Sequence, residues 1–259
     1  MQEREAAIAL ALRAGAILRA GRSGNTLDYE LKGVIDPVTQ VDRRSQALIV
    51  EGLHMSFPGD SILAEEGEHW DASTPSKARW IIDPLDGTTN YIKGYPLAAV
   101  SIGLEKDGEL VLGVVFNPFA NELFVGEHGQ GATLNGHPIH VSSVAKLGQA
   151  LLASGFPYDA WTATDDNTRA WQRMVKRCLA LRCDGSAALD LCHVACGRLD
   201  GYWERGLAPW DTAAGVVIVR EAGGLAVDYA GGNGILVLGE VVAGNAALVR
   251  EIRKIIDPR

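Results

Sequence analysis

The segment Trp80-Ile81-Ile82-Asp83-Pro84-Leu85-Asp86-Gly87-Thr88-Thr89-Asn90 constrains this chain more than any other. Its apolar start reads as the end of a buried strand, which delivers Asp83 and Asp86 into a turn made tight by Pro84 and Gly87. Thr88, Thr89 and Asn90 then open a helix. Two anionic oxygen donors thus sit beside a helix N-terminus, where free N–H groups and the positive end of the dipole favour a phosphate. Hard cations such as Mg²⁺ bind through a few carboxylates plus substrate phosphate, so the local chemistry is that of a metal-dependent phosphate site. Asp-Pro and Asp-Gly pairs also mark ordinary turns, so the reading requires more acids to converge on the motif.

Three further stretches supply them. Asp36-Pro37-Val38-Thr39-Gln40-Val41-Asp42 ends in an acid placed to cap a helix over residues 43–56. Ser61-Ile62-Leu63-Ala64 reads as a short strand running into Glu65-Glu66-Gly67, and adjacent carboxylates there repel unless water or a cation compensates. Trp210-Asp211 precedes a small-residue helix over 212–222, with Asp211 at its start and Gly223 near its end.

These strings, in this order from about Lys32 to Gly224, resemble the inositol monophosphatase family of Mg²⁺-dependent, lithium-sensitive phosphatases. The resemblance implies metal ligands at Glu65, Asp83, Asp86 and Asp211 and at the Leu85 carbonyl, with two or three Mg²⁺ ions bound. It gives Asp42 and Thr88 the role of orienting and deprotonating the attacking water, and the backbone N–H groups of Gly87 and Thr88 that of holding the phosphate. Gly185-Ser186-Ala187 and Glu204 would contact the sugar or polyol. Glu65 is chosen over Glu66 as the ligand by alignment, leaving Glu66 behind it. The stretch between Lys32 and Asp36 is a residue shorter than in the animal enzymes, which leaves the role of Lys32 open.

The resemblance implies a five-layer α-β-α-β-α sandwich, of mixed α+β and α/β character, with the metals between two halves. Residues 1–145 would form an α+β half carrying most ligands, and residues 146–259 an α/β half carrying Asp211 and the substrate contacts. The expected reaction is hydrolysis of a phosphate monoester by metal-activated water. Tyr202-Trp203-Glu204-Arg205-Gly206-Leu207-Ala208-Pro209-Trp210 leans the substrate towards inositol 1-phosphate. Fructose 1,6-bisphosphate, histidinol phosphate and 3′-phosphoadenosine nucleotides stay open. So does a regulatory role, because some bacterial relatives associate with transcription machinery. A homodimer acting on a small phosphorylated polyol or sugar is the expected assembly.

Composition narrows the rest. The 259 residues can bury a large core, as one domain or as two packed halves, and a 47% hydrophobic, 22% charged balance is ordinary for a globular chain. The net charge of −8 and the lack of a basic stripe argue against bulk nucleic acid as a partner. No run approaches a membrane span, and the mixed-charge start Met1-Gln2-Glu3-Arg4-Glu5 lacks signal-peptide character, so the cytoplasm is the default location. Cys178, Cys183, Cys192 and Cys196 lack the short pairs of zinc folds and read as reduced thiols. Gly129-Gln130-Gly131 lies among hairpins with no helix following, so it is not a dinucleotide loop.

Hydrophobic periodicity predicts helices over 3–20, 43–56, 165–177, 186–196, 212–222 and 245–256. It predicts strands over 61–64, 79–83, 97–105, 110–117 and 121–126, then near 150–154, 200–204, 225–228 and 240–243. Tight turns are expected at Lys106-Asp107-Gly108-Glu109 and at Asn135-Gly136.

Overall fold

An apolar stripe along the first helix, including Leu10, Ala14 and Leu18, is fully buried and sets the outermost layer of the protein. The structure, a computed structural model, describes residues 2–22, 28–32, 36–67, 69–70, 77–164 and 166–256. Its helices are α1 (Gln2–Gly21), α2 (Gln40–Ser56), α3 (Thr88–Lys93), α4 (Thr168–Met174), α5 (Ala187–Ala195), α6 (Pro209–Glu221), α7 (Ile235–Leu238) and α8 (Ala246–Ile256). The strands begin with β1 (Tyr29–Leu31), β2 (Pro37–Thr39), β3 (Ser61–Ala64), β4 (His69–Trp70) and β5 (Ala78–Asp86). The chain continues through β6 (Ala99–Lys106), β7 (Glu109–Asn117), β8 (Glu122–Glu127), β9 (Gly131–Leu134) and β10 (His137–Pro138). The last five are β11 (Leu151–Ser154), β12 (Ala180–Arg182), β13 (Gly201–Arg205), β14 (Leu225–Val227) and β15 (Glu240–Gly244).

An eight-stranded sheet runs in the order β10-β9-β8-β7-β6-β5-β3-β4, and a five-stranded sheet in the order β12-β11-β13-β15-β14. Helices α1 and α2 pack on the outer face of the large sheet, α5 and α6 lie between the sheets, and α4 and α8 cover the small sheet. The result is the expected α-β-α-β-α sandwich. Its apolar residues divide into an outer cluster under α1 and α2, a middle cluster around α5 and α6, and a third under α8.

Two local devices position the acids of β5 and α6. The pairing of β5 with β6 slips between Asp83, opposite Ser101, and Asp86, opposite Ala99: three steps along one strand match two along the other. Side chains alternate faces along a strand, so residues three apart should point oppositely; the extra residue of this bulge turns Asp83 and Asp86 to the same side. The second device is a row of glycines, Gly103, Gly113 and Gly126, paired directly across β6, β7 and β8. A Cβ on Gly113 would come within 2.1 Å of the Ala214 carbonyl oxygen, and one on Gly126 within 2.8 Å of the Ile218 Cα. Helix α6 therefore lies closer to the sheet than side chains would allow.

Most expected elements form, with informative shifts. Helix α2 starts three residues before Arg43: Thr39 is its N-cap, and Asp42 lies inside the first turn as the other half of a capping box. Helix α6 starts at Pro209, a favoured first helical position, so Asp211 also lies within the first turn and not ahead of it. The helix expected over 165–177 shortens to α4 because Asn167 takes a left-handed backbone (φ 70°). Its buried amide donates to the Gly155 carbonyl at 2.6 Å and accepts from the Trp203 indole at 3.0 Å. The expected turns at Asp107-Gly108 and Asn135-Gly136 have positive φ at both residues, the geometry of tight hairpins. The short strands β1, β2, β9, β10 and β12 carry no periodicity readable from sequence. Residues 33–35, on which the shortened Lys32–Asp36 spacing turns, lie outside the described residues.

Candidate active site

Strand β3 runs parallel to β5, with Ala64 opposite Ile82, so the chain leaves β3 with Glu65 beside Asp83. The Glu65 N–H donates to the Ile82 carbonyl at 3.2 Å. Asp83 and Asp86 face the middle layer through the bulge, and α6, seated on the glycine row, brings Asp211 to the same place. Glu65, Asp83, Leu85, Asp86 and Asp211 line one cavity of about 290 Å³. Glu66 does not line it: its N–H donates to the Gln46 side chain at 2.8 Å. Lys32 bridges the two acids, its ammonium 2.6 Å from Glu65 Oε1 and 2.8 Å from Glu66 Oε1.

Each acid is fixed by neighbours that leave part of it free. Asp83 Oδ1 accepts from the Leu85 N–H at 2.9 Å, and Asp211 Oδ2 from the Ala208 N–H at 2.7 Å. Asp86 Oδ2 accepts a short bond from the Ser186 hydroxyl and a 3.0 Å bond from the Ala188 N–H at the start of α5. Asp42 Oδ2 accepts from the N–H and hydroxyl of Thr39. The Thr88 hydroxyl, deep in the same cavity, lies 3.2 Å from Asp42 Oδ1 and 3.0 Å from the Leu85 carbonyl. It has one proton and can donate to only one of them at a time.

The donor set fits a hard divalent cation. Burial pushes Asp83 and Asp211 well above the ordinary aspartate range, reinforced in both by the neighbouring carboxylates. Burial lifts Asp86 to about 6 despite its bonds to Ser186 and the α5 backbone, and lifts Glu65 to about 7 despite Lys32. Burial opposes the charge on Lys32, but Glu65 and Glu66 outweigh it and hold its pKa above the usual lysine value. Five carboxyls, of Asp36, Glu65, Asp83, Asp86 and Asp211, line one cavity and are costly as anions without more positive charge than Lys32 supplies, and all offer oxygen, which Mg²⁺ prefers.

A second cavity of about 350 Å³ adjoins the first and shares Asp86, Gly87 and Asp211 with it. Gly185, Ser186, Ala187 and Glu204 line it. Glu204 is on β13, 9% exposed, and accepts from the Tyr202 hydroxyl at 2.5 Å. It is not a surface acid paired with Arg205, which instead faces Glu240 at 3.8 Å. A Cβ on Gly155 would lie 2.3 Å from the Glu204 carboxylate, so glycine there makes room for that acid. Gly87, left-handed at φ 84°, caps α3, and any Cβ on it would strike the Leu97 carbonyl at 2.7 Å.

Sequence reasoning missed several participants. Tyr158 lines both cavities and had no signal. Asn90 ties two remote segments together, donating to the Leu97 carbonyl at 2.8 Å and the Asp184 carbonyl at 2.7 Å. Thr39, the brace of Asp42, was detectable: Thr-x-x-Asp before an apolar helix is a capping box.

The sequence profile of the inositol monophosphatase family matches residues 1–257. The chain belongs to the inositol monophosphatase family. It is 44% identical over 244 residues to the inositol-1-monophosphatase of Synechocystis, covering 92% of this chain and 84% of that one. It is 42% identical over 246 residues to the Nus factor SuhB of Salmonella typhimurium, 91% of each chain. The crystal structure of the extragenic suppressor protein suhB from Bartonella henselae superposes with a TM-score of 0.91 at 36% identity, covering 98% of this chain and 97% of that one. Among the described residues no helix is long and apolar enough to cross a membrane. The four cysteines of this family member are free thiols.

Proposed function

We propose that this protein is a Mg²⁺-dependent phosphate monoesterase acting on inositol 1-phosphate. The observation that carries the reading is the convergence of Glu65, Asp83, Leu85, Asp86 and Asp211 on one cavity that Thr88 also lines, with the buried Asp42 behind its hydroxyl at 3.2 Å. When bound, Mg²⁺ would supply Lewis-acid stabilisation of the phosphoryl oxygens and a more acidic water. Glu65, Asp83, Leu85, Asp86 and Asp211 would hold it.

The chain's own groups do the rest. Thr88 donates its proton to Asp42, leaving the hydroxyl lone pairs to accept one from water, and Asp42 backs that transfer as the base. Thr39 keeps Asp42 in place. The N–H groups of Gly87 and Thr88 face the phosphate at the start of α3. Glu204, held by Tyr202, accepts hydrogen bonds from polyol hydroxyls in the second cavity, whose size lies at the lower end of the range for small-molecule sites. Cations and fixed donors stabilise the charge spread over the transferred phosphoryl group, so no serine or cysteine nucleophile is needed.

The name of the Salmonella relative supports a second reading, a role as a Nus factor. Phosphate release from inositol 1-phosphate, fructose 1,6-bisphosphate, histidinol phosphate and a 3′-phosphoadenosine nucleotide, with and without Mg²⁺, tests the proposal. Release that is fastest from inositol 1-phosphate and dependent on Mg²⁺ upholds it. No release from any of the four leaves the regulatory reading in its place.

A further inference from the structure

Beside the second cavity, and outside the residues that line it, a buried acid is left over. Asp190, on α5, is 1% exposed, and its Oδ1 has no hydrogen-bond partner. An unpaired carboxylate oxygen in that setting is costly. Asp184 faces it from the loop before α5, and His193 lies three residues further along the helix, on the same side. One ligand atom from each of the three lies within 4.8 Å of the others. We propose that Asp184, Asp190 and His193 form a second divalent-cation site, chemically distinct from the carboxylate cavity and suited to a transition metal such as Zn²⁺.

The donor chemistry selects the ion. Two carboxylates and an imidazole suit zinc and its neighbours, whereas Mg²⁺ prefers oxygen alone. At zinc bond lengths of about 2.0–2.2 Å, tetrahedral ligand atoms stand roughly 3.3–3.6 Å apart. The three ligand atoms would have to close to that spacing from within 4.8 Å of one another. The imidazole is restrained by an edge-on contact with Phe124, ring centroids 6.4 Å apart. Burial lowers the pKa of His193, favouring the neutral form that binds metal. The Asp184 main chain is tied down by Asn90 at 2.7 Å. Asp184 and His193 are both partly exposed, which leaves an entry path and room for water to complete the shell. The alternative is that the three side chains bind no ion.

An ion here would brace the Cys183–Ala187 wall of the second cavity, two residues from the hydroxyl that bonds Asp86. The test is equilibrium dialysis of the intact protein with Zn²⁺ under excess Mg²⁺, with X-ray absorption on the bound zinc. Because the carboxylate cavity offers only oxygen, an imidazole in the zinc shell separates this site from it, and the loss of that signal in His193→Gln assigns it among the six histidines. The wild type should hold one zinc with one imidazole; His193→Gln should lose both. Asp184→Asn, on a partly exposed loop residue and so compatible with folding, should weaken zinc by about tenfold or more. Equal zinc in all three proteins, an all-oxygen shell in the wild type, or an imidazole signal surviving in His193→Gln would each overturn the site.

Discussion

The carboxylate cavity takes its donors from the ends of two strands and the first turn of a helix, whereas the adjoining cavity is walled by segments remote from one another in sequence, 155–158, 183–187 and 204–207, with Glu204 on β13 and Ala187 opening α5. In the first, three of the four candidate ligand acids are set by a contact within three residues or by a neighbouring strand: Leu85 for Asp83, Ala208 for Asp211, β3 beside β5 for Glu65. In the second, the key bonds join distant segments, Ser186 to Asp86 and Asn90 to Asp184. The difference teaches that the carboxylate cavity is set mainly by local and strand-pairing contacts and the adjoining cavity by long-range ones, with Asp86 joining the two.

The sharpest way to break that division is to remove one charge from the carboxylate cavity. Asp83→Asn should abolish Mg²⁺-dependent turnover, by about 10³-fold or more, with the far-UV spectrum unchanged, since several kcal/mol of transition-state stabilisation rest on the cations. Retained turnover, or full wild-type activity in excess chelator, would defeat the metal role. Thr88→Ala should lower kcat by roughly 10²–10⁴-fold, the worth of a general base, while calorimetry shows Mg²⁺ affinity little changed. Parallel collapse of both would make Thr88 structural.

Glu204→Gln acts on the adjoining cavity. It should penalise inositol 1-phosphate by about 10- to 100-fold relative to an aryl phosphate lacking vicinal hydroxyls, the value of a hydrogen bond to a charged group of roughly 1.5–3 kcal/mol. Equal losses on both substrates would blur the two cavities into one.

The smallest effect is protonic. Without cations, Glu65 near 7 and Asp86 near 6 keep protons that the unfolded chain, with ordinary carboxyl values, releases near 4. The folded state therefore binds more protons between those values. Its metal-free stability should be greatest at the acid end of that window and fall as pH rises towards 7. Mg²⁺ should expel those protons. At pH 6 the calorimetric binding enthalpy should vary with the ionisation enthalpy of the buffer, and an invariant enthalpy would remove these acids from the ligand set.

The same division decides what could be read from residue order. The acids at Asp83, Asp86 and Asp211 sit in short strings whose turn and cap chemistry is local, so their elements and neighbours were legible. What was missed locally was phase: Asp42 and Asp211 lie inside first turns because Thr39 and Pro209 start those helices earlier. Strand alternation alone would have sent Asp83 and Asp86 to opposite faces, and only pairing with β6 reveals the bulge that reunites them. Tyr158, Asn90 and the Lys32 bridge depend on contacts between remote segments. No pattern within a window of sequence encodes those.

The glycine row carries a further consequence for this chain's tolerance to change. Gly113 contacts no acid of the site, yet its missing Cβ sets how far α6, and with it Asp211, stands from the sheet. Neutral drift is closed along that line even for a methyl group. Gly113→Ala should lower the melting temperature and weaken magnesium binding together, because clearing a 2.1 Å approach to the Ala214 carbonyl requires α6, and Asp211 with it, to lift by about an ångström.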